Sequence, residues 1–238
     1  MTGSSAKDIR IVPIKRLELS LTPKPWAFAA QRRADIDARF AALQREKPAL
    51  WNGRILMLHD QAITNGVFRG AFLQTDYASF AAWIDWGRPP AGVCDCFAAA
   101  AILAADGAFL VGVMGGQTLN AGQVYFPCGT PDASDIIDGK VDFDFSVRRE
   151  LKEETGIDAG ELVGDPGWTM VVDGALIAQI KVFRARQDAA ELRTKILSWH
   201  SRQAEPELAD ILIARSPADF DPKMRPFVRA FLADRWRQ

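Results

Sequence analysis

Phe97 to Ala104 is a nearly continuous apolar run, and beyond the turn pair Asp106-Gly107 a second one, Ala108 to Met114, leads back. Apolar runs of this length bounded by turn residues read as buried strands, and Asp-Gly between them as a tight hairpin connection. A central hairpin therefore organises the second half of the chain. Gly115 to Gly122 reads as loop, Val124 to Phe126 as a short strand, and Pro127-Cys128-Gly129 as a turn into the polar stretch Thr130 to Lys140.

Before this hairpin, Ile11 to Leu21 alternates like an extended segment, apart from Pro13, and Pro25 to Gln44 has helical spacing. Arg54 to Leu58 and Gly66 to Leu73 read as strands, Tyr77 to Trp86 as a short helix. Gly87-Arg88-Pro89-Pro90-Ala91-Gly92 breaks both periods and is the expected boundary, giving an N-terminal extension over 1–92 and a main domain over 93–238. After the motif region, Trp168 to Val172, Ala175 to Arg184 and Leu208 to Ile213 read as strands, with helices over about Ala189 to Gln203 and Pro222 to Arg237.

The balance of 29 basic against 30 acidic residues gives no field that would hold a nucleic-acid backbone or an anionic membrane, which favours small substrates. Met1 to Arg10 is polar and no stretch suits a signal segment or a membrane span, so a cytoplasmic protein is expected. Cys94, Cys96 and Cys128 lack metal-site spacing and read as reduced structural thiols; with only His59 and His200 available, any metal should be held by oxygen.

The chemistry concentrates at Arg149-Glu150-Leu151-Lys152-Glu153-Glu154-Thr155-Gly156-Ile157. On a helix capped near Asp142, Glu150, Glu153 and Glu154 fall at i, i+3 and i+4 and share a face, while Phe143, Val147 and Leu151 share another. A solvated helix face usually sets Glu against Lys or Arg four residues on, whereas here Glu150 meets Glu154. That repulsion, roughly 0.2 to 0.5 kcal/mol per pair, is relieved by a divalent cation. Hard carboxylate oxygens suit Mg²⁺ (or Mn²⁺), the ions that also bind phosphate oxygens. Arg149, four residues before Glu153, is placed to brace that carboxylate.

This stretch resembles the signature of the Nudix hydrolase family: Gly, five residues, Glu, seven residues, then Arg-Glu-aliphatic-x-Glu-Glu-x-Gly-aliphatic. Its second half is complete here, and Phe126-Pro127-Cys128-Gly129 resembles the family's Phe-Pro-Gly-Gly turn, with Gly129 as the motif glycine. Gly129 is six residues too far from Arg149, the position counted back to the acid is Val141, and the loop Thr130 to Lys140 is enlarged. Asp138, Asp142 or Asp144 could replace that acid, or each could be a turn or cap residue. The order of elements before the hairpin, with Thr75 to Phe80, is similar to the subgroup acting on UDP-glucose.

The resemblance implies a Nudix-type α/β/α sandwich on a mixed sheet, with the motif helix on one face, later helices on the other and an N-terminal extension beside it. It implies metal ligation by Glu150, Glu153 and Glu154, with Glu150 also positioning or deprotonating a water. A later loop acid often joins such sites; Glu205 and Glu207 stand where one could, Glu207 being the weak choice. Trp83 and Trp86 serve either packing or stacking on a ligand, and Arg148 and Lys152 either solvation or phosphate contact. The expected activity is Mg²⁺-dependent cleavage of a nucleoside diphosphate linked to a sugar or ribose. The alternatives are a nucleoside triphosphate pyrophosphohydrolase and a ligand-binding module without catalysis; RNA decapping lacks a basic tract. A homodimer is left open.

Overall fold

The computed structural model describes residues 9–48, 50–116, 118 and 120–237. Most of the polar leader and two positions of the loop Gly115 to Gly122 thus lie outside the described residues. The chain opens with β1 (Arg10–Ile14), β2 (Arg16–Leu21), α1 (Ala27–Gln31), α2 (Arg33–Glu46), β3 (Arg54–Thr64), β4 (Val67–Asp76) and α3 (Tyr77–Asp85). It continues through β5 (Asp95–Leu103), β6 (Phe109–Met114), β7 (Val124–Tyr125), β8 (Ile136–Ile137), β9 (Lys140–Val141) and α4 (Phe143–Thr155). The last elements are β10 (Val163–Gly164), β11 (Trp168–Asp173), β12 (Leu176–Arg184), α5 (Ala189–His200), β13 (Leu208–Ala214) and α6 (Pro226–Arg235).

The fold is mixed α/β and contains two mixed sheets. The larger has the order β1-β11-β12-β5-β6-β13, with β10 added to β12 and β7 to β6; β12 and β5 run parallel and the other pairs antiparallel. The hairpin read from the two apolar runs sits inside it, Gly107 at φ +82° making the turn. The smaller sheet has the order β3-β4-β2-β9-β8, with β2 parallel to β4. Asn65 (φ +55°) and Gly66 (φ +79°) form its β3–β4 turn, the left-handed pair that a two-residue hairpin requires.

Helices cover both faces of the larger sheet. Arg148 of α4 lies over Phe183 of β12, whereas Phe227 of α6 packs edge-on to Phe97 of β5. Phe183 is in register with Ile102 and Phe97 with Ala178, so alternation along β5 puts these contacts on opposite faces. α5 packs beside α4 instead of opposite it: His200 Nε2 donates to the Glu154 carbonyl at 2.6 Å. Of the later helices only α6 closes the far face.

The segment read as one extended run, Ile11 to Leu21, splits at Lys15 between the sheets, its amide held by the Gly66 carbonyl at 2.7 Å. Pro13 is tolerated because β1 is an edge strand. Residues before the expected boundary thus enter the larger sheet, and β8 and β9 enter the smaller one. The segment from Gly87 to Gly92 is anchored by two indoles, Trp83 Nε1 donating to Pro89 O at 2.9 Å and Trp26 Nε1 to Ala91 O at 3.0 Å.

Candidate active site

α4 starts at Asp142, whose side chain accepts the Phe145 amide proton at 2.9 Å, and stops at Gly156, left-handed at φ +71°. A β-carbon at Gly156 would stand 2.4 Å from the Trp199 ring, so only glycine admits this contact with α5. Phe143, Val147 and Leu151 are fully buried, fixing the helix's rotation. That rotation turns Glu150 and Glu154 toward the turn after β7, and leaves Glu153 exposed.

Glu154 is 2% exposed; its Oε1 accepts the Cys128 amide proton at 3.0 Å and its Oε2 is buried without a hydrogen-bond partner. Glu150, 8% exposed, lies so close to Gly129 that a β-carbon there would sit 2.1 Å from Glu150 Oε1. The turn is thereby a lid of backbone over two carboxylates. Burial raises the proton affinity of both, and their mutual repulsion and Glu207 raise it further for Glu154. Glu150 is pushed up to about 7, with Arg149 pulling the other way. Glu207, just before β13, is raised by partial desolvation and by the Glu153 charge. The structure therefore brings Glu150, Glu153, Glu154 and Glu207 into one electrostatic cluster. Glu205 is an exposed turn residue.

Arg149 anchors the cluster's other side. Its Nη1 lies 2.9 Å from Glu150 Oε1 and 2.8 Å from Glu153 Oε2, and its Nη2 is 3.0 Å from Asp135 Oδ1. Asp135 is fully buried, and its second oxygen accepts the Asp132 amide proton at 3.1 Å in a capping box. Sequence reasoning missed this residue. Counting forward from Gly129, five residues intervene before Asp135, the spacing of the motif acid; counting backward from Arg149 had led to Val141. The six additional residues, 136–141, form the β8–β9 hairpin, which turns at Asp138 (φ +49°) and Gly139 (φ +75°). An Asp-Gly pair between Ile136-Ile137 and Lys140-Val141 was the available signal.

Val141 is accordingly a core residue at 4% exposure. Asp138 belongs to the hairpin turn, Asp142 is the helix cap, and Asp144 lies 3.9 Å from Lys181, so none of the three stands in for the acid. The thiols are all free; burial and the neighbouring glutamates hold the Cys128 proton well above the ordinary thiol range, which suits it to packing and not to nucleophilic attack. Trp83 is wholly buried, and Trp86 lies beneath Arg32 at 4.5 Å, so both tryptophans pack. Arg148 lies over Phe183, and Lys152 pairs with Asp158 at 2.9 Å.

The donor set consists of hard carboxylate oxygens, one of them, Glu154 Oε2, orphaned in the interior, with Glu150 set closely against Gly129; these features fit a divalent cation. Among the described residues, no three His, Cys, Asp or Glu side chains are already gathered on a common point at metal-holding distance. Glu150 and Glu153 are instead engaged with Arg149. No helix among the described residues is long and apolar enough to cross a membrane.

No family model and no curated protein matches this chain. Among solved structures it is similar to the crystal structure of a Nudix hydrolase from M. Smegmatis, RenU, at 12% identity and a TM-score of 0.35, over 60% of this chain and 83% of that one.

Proposed function

We propose that this protein is a Nudix-type pyrophosphohydrolase that uses Mg²⁺ or Mn²⁺ to cleave the diphosphate of a nucleoside diphosphate linked to a second moiety. What supports this most directly is the burial of Glu150 and Glu154 side by side under the Cys128-Gly129 turn, with Glu154 Oε2 unsatisfied. Two crowded interior carboxylates are costly unless a cation or a proton reaches them.

Glu150, Glu153, Glu154 and Glu207 would hold the metal. When bound, it would neutralise phosphate charge and acidify a coordinated water. Glu150 would accept at its carboxylate the proton released by the attacking water. Arg149, fixed by Asp135, would hold Glu150 and Glu153 in position without itself losing charge. The Cys128-Gly129 turn keeps bulk water from Glu154.

The test is a screen with and without Mg²⁺ across UDP-sugars, ADP-ribose, dinucleotides, coenzyme A and nucleoside triphosphates, with products resolved by ³¹P NMR. Two phosphorylated products, abolished by a chelator, are expected. Inorganic pyrophosphate from triphosphates would favour the rival enzymatic activity. Binding without turnover on any substrate would favour a ligand-binding module.

A further inference from the structure

A cavity of about 500 Å³ lies between the helices α2 and α3 and the larger sheet, and Cys128, Gly129 and Thr130 form part of its wall. The same turn covers Glu150 and Glu154, so the cavity adjoins the acidic cluster. Its volume falls within the range of small-molecule sites. α3 presents Tyr77, Phe80, Ala81 and Ile84 to it, positions i, i+3, i+4 and i+7 of one helical face.

Cations from three elements also reach the cavity. Arg39 pairs with Asp85 and Arg88 with Asp95, whereas Arg225 has no ion-pair partner among the described residues. Arg88 combines two features. It is a non-glycine residue in the left-handed region, φ +53°, and its Nε is buried without a hydrogen-bond partner. The indole bonds to Pro89 and Ala91 hold its loop in place. Backbone strain and an unmet buried donor are both costly, and strained residues cluster where a ligand is gripped.

We infer that this cavity is the nucleoside subsite: the base lies against Tyr77 and Phe80, and Arg88 donates to the ribose-phosphate side. The inference rests on the diphosphate-cleaving reading, which places the phosphates beside Gly129. An acyl chain would leave the cations unused, and a bare sugar phosphate would leave the aromatic helix face unused. The N-terminal segment, through α2, α3 and Arg88, thus sets which substrate is accepted.

The experiment is titration calorimetry of the full chain, in excess chelator, with AMP, UMP, GMP, CMP and glucose 1-phosphate, beside steady-state kinetics in Mg²⁺. At least one nucleoside monophosphate is expected to bind, and Tyr77→Leu and Arg88→Met should each weaken it by tenfold or more. Tyr77 also packs on Phe40 and Phe80, so Ala81→Trp, which fills the cavity while removing no contact, provides a second variant; it should abolish binding with the thermal transition retained. The three variants should raise KM far more than they lower kcat. Nucleotide affinity unchanged in all three, or binding of glucose 1-phosphate alone, would overturn the assignment. Binding that responds to the variants in a chain without hydrolytic activity would sink the proposed reaction and leave the subsite standing.

Discussion

Arg149 Nη2 stands 3.0 Å from Asp135 Oδ1, a carboxylate with no solvent exposure. The two residues are 14 positions apart, and their contact joins the loop after β7 to the helix that carries the glutamates. Because Arg149 also touches Glu150 and Glu153, Asp135 is linked to the acidic cluster through that guanidinium.

Asp135→Ala should leave Arg149 half-paired and a capping amide unmet, at a cost of about 2 to 4 kcal/mol. Urea denaturation should record this as a lower midpoint, and Mg²⁺ affinity should fall with it. Val141→Glu, which would install an acid at the position counted back from Arg149, should bury an unpaired charge and destabilise the chain without improving cation binding. A gain in Mg²⁺ affinity from that variant would contradict the placement of the acid at Asp135.

Gly129→Ala would force a β-carbon to 2.1 Å from Glu150 Oε1. Either the turn lifts or Glu150 swings away, and both disturb the cluster. The expected outcome is a loss of a hundredfold or more in kcat/KM with a small change in thermal stability. Gly139→Ala, where no atom lies near the added carbon but φ is +75°, should cost stability, at about 1 kcal/mol, and spare the cluster. Equal activity losses in the two variants would argue against the close approach at Gly129.

The glutamates link stability to pH. Glu150 is held at about 7, above its ordinary value of 4.5, so its contribution to the metal-free fold is complete below about pH 4.5 and disappears as pH rises through 7. Glu154 and Glu207 shift in the same direction. The metal-free melting temperature should therefore decline between pH 5.5 and 8, and the increase produced by Mg²⁺ should be larger at pH 8. An equal increase at both pH values would mean that the cation binds elsewhere.

Asp76 has the opposite sign. Burial alone would raise its proton affinity, but the Ser79 amide, the Arg33 guanidinium and the Ser79 hydroxyl outweigh it and lower the carboxyl below 3.8. Its stabilisation is present above that value and is lost as pH falls through the depressed one. Asp76→Ala should cost about 1 kcal/mol at pH 7 through loss of the α3 cap, and the difference from the native chain should shrink in acid, as equilibrium unfolding between pH 2 and 7 would record.

The two halves of the chain differ in how much of their structure could be read from sequence, for physical reasons. The β5–β6 hairpin and α4 follow local rules, a period and a turn pair, so their residues declare them. The smaller sheet joins two local hairpins, β3–β4 and β8–β9, through β2, and no local pattern announces that partnership between segments distant in sequence. The stretch Thr130 to Lys140, read as an enlarged loop, instead forms a capping box and a hairpin that extends the N-terminal sheet, Lys140 pairing with Ser20. Asp135 escaped notice because the count was taken back from Arg149 across the inserted β8–β9 hairpin, and its burial and its contact with Arg149 are not legible in sequence. Trp83 and Trp86 could by type either pack or stack on a ligand; both pack, and α3 directs Tyr77 and Phe80 toward the cavity.

The most direct test of the central claim is ³¹P NMR of the native chain and of Glu154→Gln with a responsive nucleoside diphosphate derivative, in Mg²⁺ and in chelator. Two phosphomonoester products from the native chain only in Mg²⁺, with a loss of a thousandfold or more in a folded Glu154→Gln variant, is the predicted result. Turnover that survives either the chelator or the substitution would contradict it.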